Sequence, residues 1–400
     1  MIKPEIKPGF SIVYRTPQPV NLPSFVSPEA GRIAASFHAG LPGYTPTPLV
    51  DLRDLAKSLD VRQILVKDES QRFGLNAFKA LGGSFAMARL LCQRLGITLG
   101  RDSFQVLTSD AYRRELEQLT FVTATDGNHG RGVAWAARQL GCRAVVYMPR
   151  GSAEARLNNI RAQGAEAEIT DLNYDDAVRY AGQMAEKHGW ILMQDTAWPG
   201  YEEIPAAIMQ GYTTLGDEIR TQLDAMGTER PSHLFLQAGV GSLAGALAGY
   251  FVSLWPEDPP KIILVEPDRA DCLFRTALAD DGKLHAVTGP MNSIMAGLCC
   301  GEPCTLGWEI LRQTACAFIS CDDAYAEHGM RLLGKPEGTD PRIVSGESGA
   351  VTAGVAARLL TDPDLAEVKE GLGLEADSRI LLISTEGDTD PVNYQKILAS

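Results

Sequence analysis

From Arg62 to the C-terminus the chain repeats one pattern, a short aliphatic and β-branched run followed by a longer segment with helical spacing. That rhythm constrains the fold more than any single residue. QILVKDES, FVTATD, CRAVVYMP, AEIT, WILMQD, SHLFLQAG, KIILVEP and RILLIST read as strands. Between them AFKALGGSFAMARLLCQRLG, GNHGRGVAWAARQLG, SAEARLNNIRAQGA and DDAVRYAGQMAEKHG read as helices, most of them stopped by a glycine. The third carries a serine cap and a first-turn glutamate. Strands alternating with helices at this spacing imply parallel pairing, right-handed crossovers and helices on both faces. The expected class is α/β, with open, mostly parallel sheets.

A chain of 400 residues exceeds what one hydrophobic core usually serves. Two domains are expected: a small one over residues 82–195, and a larger, discontinuous one from 1–81 and 196–400. The segment near 97–120 is far longer than an ordinary helix-to-strand loop, and reads as an insertion over a site or an oligomer contact. Residues 1–50 are proline-rich and read as an extended arm with short helices. VGSLAGALAGYFVSLW is too short and glycine-rich for a membrane span, and reads as a buried helix after a loop. MIKPEIKPGF lacks the apolar stretch of a secretory signal, so the expected location is the cytoplasm. A formal charge of −13 argues against nucleic acid or an anionic membrane as partner. The eight cysteines include no paired C-x-x-C arrangement, so no metal is expected. They read as buried thiols; if one pair is oxidised, Cys272 with Cys299 would staple the segment between them.

Four constellations carry chemistry. In NAFKALGG, Lys79 sits between Phe78 and Ala80 at a helix start, where desolvation favours a neutral, nucleophilic amine. TDGNHG, from Thr125 to Gly130, ends a strand; Asn128 and the turn amides offer donors to an anion, although an Asp-Gly turn also caps a helix. QAGVGSLAG runs from a strand into a glycine loop and a helix, so Gly239, Gly241 and the amides of Val240, Ser242 and Leu243 can surround a phosphate. It matches neither the dinucleotide nor the Walker spacing, which argues against a nucleotide-dependent dehydrogenase. Finally, ILLISTEGDTD places the hydroxyls of Ser384 and Thr385 at a strand end.

The order of these four resembles the fold type II, tryptophan synthase β-like, family of pyridoxal 5′-phosphate (PLP) enzymes. FKALGG stands where the family has its lysine motif, TDGNHG where it has S-S-G-N, IVSGESGA where it has a late glutamate, and STEGDTD where it has S-G-R-G-D. The resemblance implies that Lys79 forms a Schiff base with PLP and that Asn128 meets its phenolic oxygen. Gly239 to Leu243 then hold the phosphate, Glu347 lies near the cofactor, and Ser384, or less readily Thr385, faces the pyridine nitrogen. NAFKALGG, ATDGNHGRGVAWAA, MQDTAWPGYEEIP and SGESGAVTAG together look like the diaminopropionate ammonia-lyases.

That likeness implies elimination from D- or L-2,3-diaminopropionate through an aminoacrylate to pyruvate and ammonia. It implies Lys79 as base for the L-isomer and Asp126, where dehydratases have serine, as base for the D-isomer. Asp195, at the end of WILMQD, is a second carboxylate at that edge and can hold the β-amino group or cap the next turn. The small amino-acid substrate is expected to meet Thr125, Asp126, Gly127, His129 and Asp195, with His129 more structural than catalytic. A threonine/serine or D-serine dehydratase is the nearest alternative, and a non-catalytic amino-acid sensor a remote one. The resemblance also implies a homodimer.

Overall fold

A computed structural model of the protein describes residues 4–18, 21–125 and 127–400. Its strands are β1 (Glu5–Lys7), β2 (Phe10–Tyr14), β3 (Leu49–Asp51), β4 (Gln63–Asp68), β5 (Thr120–Ala124), β6 (Arg143–Met148), β7 (Glu166–Ile169), β8 (Ile191–Leu192), β9 (His233–Gln237), β10 (Lys261–Pro267), β11 (Ala315–Cys321) and β12 (Arg379–Ser384). They form two sheets. The larger runs β1-β2-β11-β10-β9-β12-β4-β3, and the smaller β7-β6-β5-β8. Pairing is parallel from β11 to β4 and throughout the small sheet. It is antiparallel only where β1, β2 and β3 join the edges of the large one.

The large sheet is apolar on both faces because each of its inner strands is. In β10, Ile262 and Leu264 enter one buried cluster while Ile263 and Val265 enter another on the opposite side. Such strands need a helical layer on each face, as parallel sheets generally do. The small sheet shares a face with the first cluster through Phe121 and Val146. Its other face, with Val122 and Val145, is closed by Ala177, Ala181 and Ala185 of helix Tyr174–His188. Helices Ala80–Leu95 and Asn128–Leu140 therefore pack together between the sheets. Their approach requires Gly132: a Cβ there falls 2.9 Å from the Ala80 amide nitrogen.

Several details differ from the sequence reading. WILMQD is a strand only at Ile191–Leu192. The Gln194 side chain then takes over the ladder, accepting from Ala124 N and Thr123 Oγ1. The helix Glu154–Arg161 has no serine cap; its N-cap is Ala153, and Ser152 Oγ bonds back to Pro149 O. The proline-rich start is not only an arm, since β2 extends the large sheet beside β11 and Pro28–His38 is a full helix. The insertion buries Leu107 and Leu116 in the main core, and its Arg101 carbonyl abuts Gly40. The Cys272–Cys299 bridge does not form. Cys272 is a buried reduced thiol 3.8 Å from Gly239 O, while Cys299 Sγ is directed at Ser293 O and Met295 O.

A buried ionic network fixes the chain just upstream of Lys79. Arg72 grips Glu218 of helix Glu203–Met226 with both terminal nitrogens, at 2.7 and 2.8 Å. It also grips Glu69, at 2.8 Å from Nε and Nη2. Lys67 of β4 reaches Glu218 Oε2 at 2.6 Å. Two cations and two carboxylates balance in a dry site. Burial alone raises the Glu218 pKa, but Arg72 and Lys67 hold it below the usual carboxylate range. Removing one charge leaves its partners buried and uncompensated. Glu218→Gln is expected to lower the unfolding free energy by about 3–5 kcal/mol. The exposed pair Arg143–Glu166 is the control, and Arg143→Gln is expected to cost at most about 1 kcal/mol, both measured by chemical denaturation.

Candidate active site

A cavity opens at the carboxyl ends of the large sheet's strands. It lies just past the ends of the neighbouring strands β9 and β12, with Gln237 and Ala238 on one side and Thr385 and Glu386 on the other. Open parallel sheets characteristically bind ligands at such a point.

The floor is the loop between β9 and helix Ser242–Leu254. Gly241 adopts φ +96°, which a side chain resists, and turns the chain into the helix. Residues Ala238 to Ala244 all line the cavity. Among the described residues, the amides from Gly239 to Ala244 have no protein acceptor. Acceptor-free amides at a helix N-terminus suit a phosphate dianion. Ser242 Oγ donates to Asp195 O at 2.5 Å, which ties this loop to the small sheet's edge.

Lys79 enters from the opposite wall. It is the N-cap of helix Ala80–Leu95, and its side chain is about one-fifth exposed while Phe78 beside it is buried. Its ammonium bonds directly to Asp195 Oδ2. His129 Nδ1 lies 3.5 Å from the same oxygen, and its Nε2 meets Met193 O at 2.7 Å. Burial alone raises the Asp195 pKa, but His129 and Lys79 outweigh it and hold the carboxyl at about 2. With Lys79 and His129 beside it, the carboxyl is held ionised inside the cavity.

At the far side Asn128 donates to Glu386 Oε2, whose other oxygen accepts from Ser348 N at 3.2 Å. Burial pushes the Glu386 carboxyl up, although Arg156 opposes this. Gln237, the last residue of β9, donates to Thr385 Oγ1 at 3.0 Å.

Of the residues chosen from sequence, Phe78, Lys79, Asn128, His129, Asp195, Gly239 to Leu243 and Thr385 line this one space. Thr125 and Gly127 stand behind it, where Thr125 Oγ1 accepts from the amides of Gly127 and Gly130. Ser384 turns away: its hydroxyl bonds Ser345 at 2.8 Å, so the strand-end hydroxyl in the cavity is that of Thr385. Glu347 also turns away, accepting from Asn393 Nδ2; the glutamate that lines the cavity is Glu386. No residue of the 97–120 insertion lines the cavity. Asp126 lies outside the described residues. Gln237, Glu386, Tyr174, Ser348 and Cys300 were not foreseen as site residues. Gln237 and Glu386 lie within the quoted glycine-loop and strand-end motifs, whose other residues drew the assignments.

A family model described as pyridoxal-phosphate dependent enzyme matches residues 41–385. The chain belongs to that family. The diaminopropionate ammonia-lyase of Salmonella typhimurium is 51% identical over 376 residues, covering 94% of this chain and 93% of its own length. That of Escherichia coli strain K12 is 52% identical over 372 residues, covering 93% and 92%. Within the family, the chain groups with these lyases. The crystal structure of the E. coli diaminopropionate ammonia-lyase in complex with D-serine matches with a TM-score of 0.91 at 48% identity, covering 99% of this chain and 97% of that one. Threonine deaminase isoform 2 from Solanum lycopersicum shares the fold, with a TM-score of 0.75 at 20% identity and coverage of 100% and 99%. The cofactor is pyridoxal 5′-phosphate. An amine at one wall and acceptor-free amides at the floor fit its aldehyde and its phosphate.

The depressed Asp195 pKa makes a stability prediction for the cofactor-free protein. A carboxyl at about 2 when folded and near the ordinary value of about 4 when unfolded stabilises the fold above that value. The contribution is lost as pH falls through the folded pKa. Urea unfolding of the protein and of its Asp195→Asn variant is expected to differ by a pH-dependent part of about 2 kcal/mol above pH 4. The two curves are expected to converge as pH falls toward about 2.

Proposed function

We propose that the protein eliminates ammonia from D- and L-2,3-diaminopropionate, leaving an enamine that hydrolyses to pyruvate and a second ammonia. The observation that carries this reading is the Asp195 carboxylate, held ionised beside Lys79 inside the cavity. A substrate whose β-substituent is an ammonium matches a fixed anion there; a β-hydroxyl does not need one. The relatives' names point the same way.

When bound, PLP supplies the electron sink that acidifies the substrate α-carbon. Lys79 holds it, the amides of Gly239 to Leu243 take its phosphate, and Phe78 packs beside the lysine. Asn128 would reach its phenolic oxygen, and Thr385 would meet its ring nitrogen. Lys79 then removes the α-proton of the L-isomer and Asp126 that of the D-isomer, from opposite faces. Asp195 positions the β-amino group and stabilises it as ammonium while it leaves. His129 holds Asp195 in place, and the turn at Thr125 and Gly127 presents the substrate side of the site.

The division into 82–195 and 1–81 plus 196–400 belongs to the same proposal, since the small sheet lies wholly in the first range. So do a cytoplasmic location, which suits the reduced Cys272, and a homodimer, for which light scattering should return twice the chain mass. Among the described residues no helix is long and apolar enough to cross a membrane.

Pyruvate release from D- and L-diaminopropionate, serine and threonine tests the assignment. Diaminopropionate is expected to be turned over at least tenfold faster than serine or threonine. Equal or faster turnover of serine returns the chain to the dehydratases, and no turnover of any leaves a sensor. Asp126→Asn is expected to remove most activity on the D-isomer and spare the L-isomer. Full D-isomer activity in that variant ends the two-base scheme.

A further inference from the structure

We infer that Gln237 is a positioning residue: its side-chain amide makes the Thr385 hydroxyl a hydrogen-bond donor toward the cofactor's ring nitrogen, so that this nitrogen stays unprotonated. The inference rests on the proposal that Thr385 meets that nitrogen, and assigns the device that sets its protonation.

The device begins with a gap between strands. β9 and β12 pair from His233 with Ile380 to Phe235 with Leu382, and no further. Past that point the Gln237 side chain bridges the gap. Its Nε2 donates to Ile383 O at 2.8 Å and approaches Gly349 O at 3.5 Å. Both partners are carbonyls, which only accept. The reversed amide would set its oxygen against them, so the orientation follows from the chemistry of the neighbours. Gln237 Oε1 is left buried with no donor among the described residues, although reversal would let it accept from Thr385.

The same Nε2 reaches Thr385 Oγ1 at 3.0 Å. A hydroxyl has one proton and can accept as well as donate. Here it accepts from Gln237, and no acceptor among the described residues takes its proton. Thr385 lines the cavity, so that proton is available there. A donating hydroxyl matches an unprotonated pyridine nitrogen; an accepting one matches a pyridinium. Without the cofactor, the cavity's two carboxylates face other partners than Thr385: Glu386 meets Asn128 and the Ser348 amide, and Asp195 meets Lys79 and His129. An unprotonated ring is the weaker electron sink, which favours expulsion of a β-group over a long-lived carbanion.

The test is 15N NMR of the holoenzyme loaded with PLP labelled at the ring nitrogen. The unaltered protein is expected to show an unprotonated nitrogen across its stable pH range. In Gln237→Glu an acceptor replaces the donor, Thr385 turns its proton to it, and the signal is expected to move to the pyridinium range. Should that variant not fold, Gln237→Met keeps the bulk and removes the donor. Its ring nitrogen is then expected to titrate within the accessible pH range. A pyridinium in the unaltered protein overturns the inference, as does an unchanged, pH-independent signal in whichever of these two variants folds. Thr385→Val separates the two levels. If it leaves the signal unchanged, Thr385 is not at the nitrogen and the underlying placement fails, and the inference with it. If it shifts the signal while the Gln237 variants do not, only the role of Gln237 fails.

Discussion

Lys79 stands at the start of a helix packed against the large-sheet side, and Asp195 just beyond the last strand of the small sheet. Their ion pair spans the cleft between the two sheets. Everything else in the site is arranged around it. Ser242 anchors the phosphate-binding loop to the Asp195 backbone, and His129 approaches the same carboxylate from helix Asn128–Leu140. The carboxylate is thus a node to which three walls of the cavity are tied. Because it is buried, its charge depends on Lys79 and His129 beside it, so the site's electrostatics and its shape are set by the same contacts.

The architecture was legible where the sequence repeats itself. Strands such as KIILVEP and RILLIST announce burial on both faces, and glycines 96, 141 and 189 end their helices in the left-handed conformation. Three-residue edge strands carry too little pattern to be read, and β3 is one. β11, ACAFISC, mixes small residues with apolar ones and lacks the aliphatic run of its neighbours. WILMQD shortened because Gln194 used its side chain where the backbone was expected to pair, a choice that periodicity does not encode.

The site was legible as motifs and less so as side-chain directions. A strand end presents successive residues to opposite sides, so naming Ser384 and Thr385 together left the direction open; Ser384 found Ser345, and Thr385 the cavity. Glu386 lines the cavity where Glu347 was expected, since Glu347 begins a helix whose first turn faces Asn393. Gln237 and the network of Arg72 with Glu69 and Glu218 join residues far apart in the chain, and no local spacing reports that.

Gly132 gives the contact between the helices a further meaning. The distance from Asn128–Leu140 to the segment carrying Lys79 is set by the missing side chain, since a Cβ would press on the backbone of Lys79 and Ala80. A single methyl group would therefore move the helix that carries Asn128 and His129 away from Lys79. Displacements of about 1 Å in a reacting constellation cost on the order of a hundredfold in rate. Catalytic alignment in this protein is thus encoded partly by an atom the chain does without, at a position that never touches substrate.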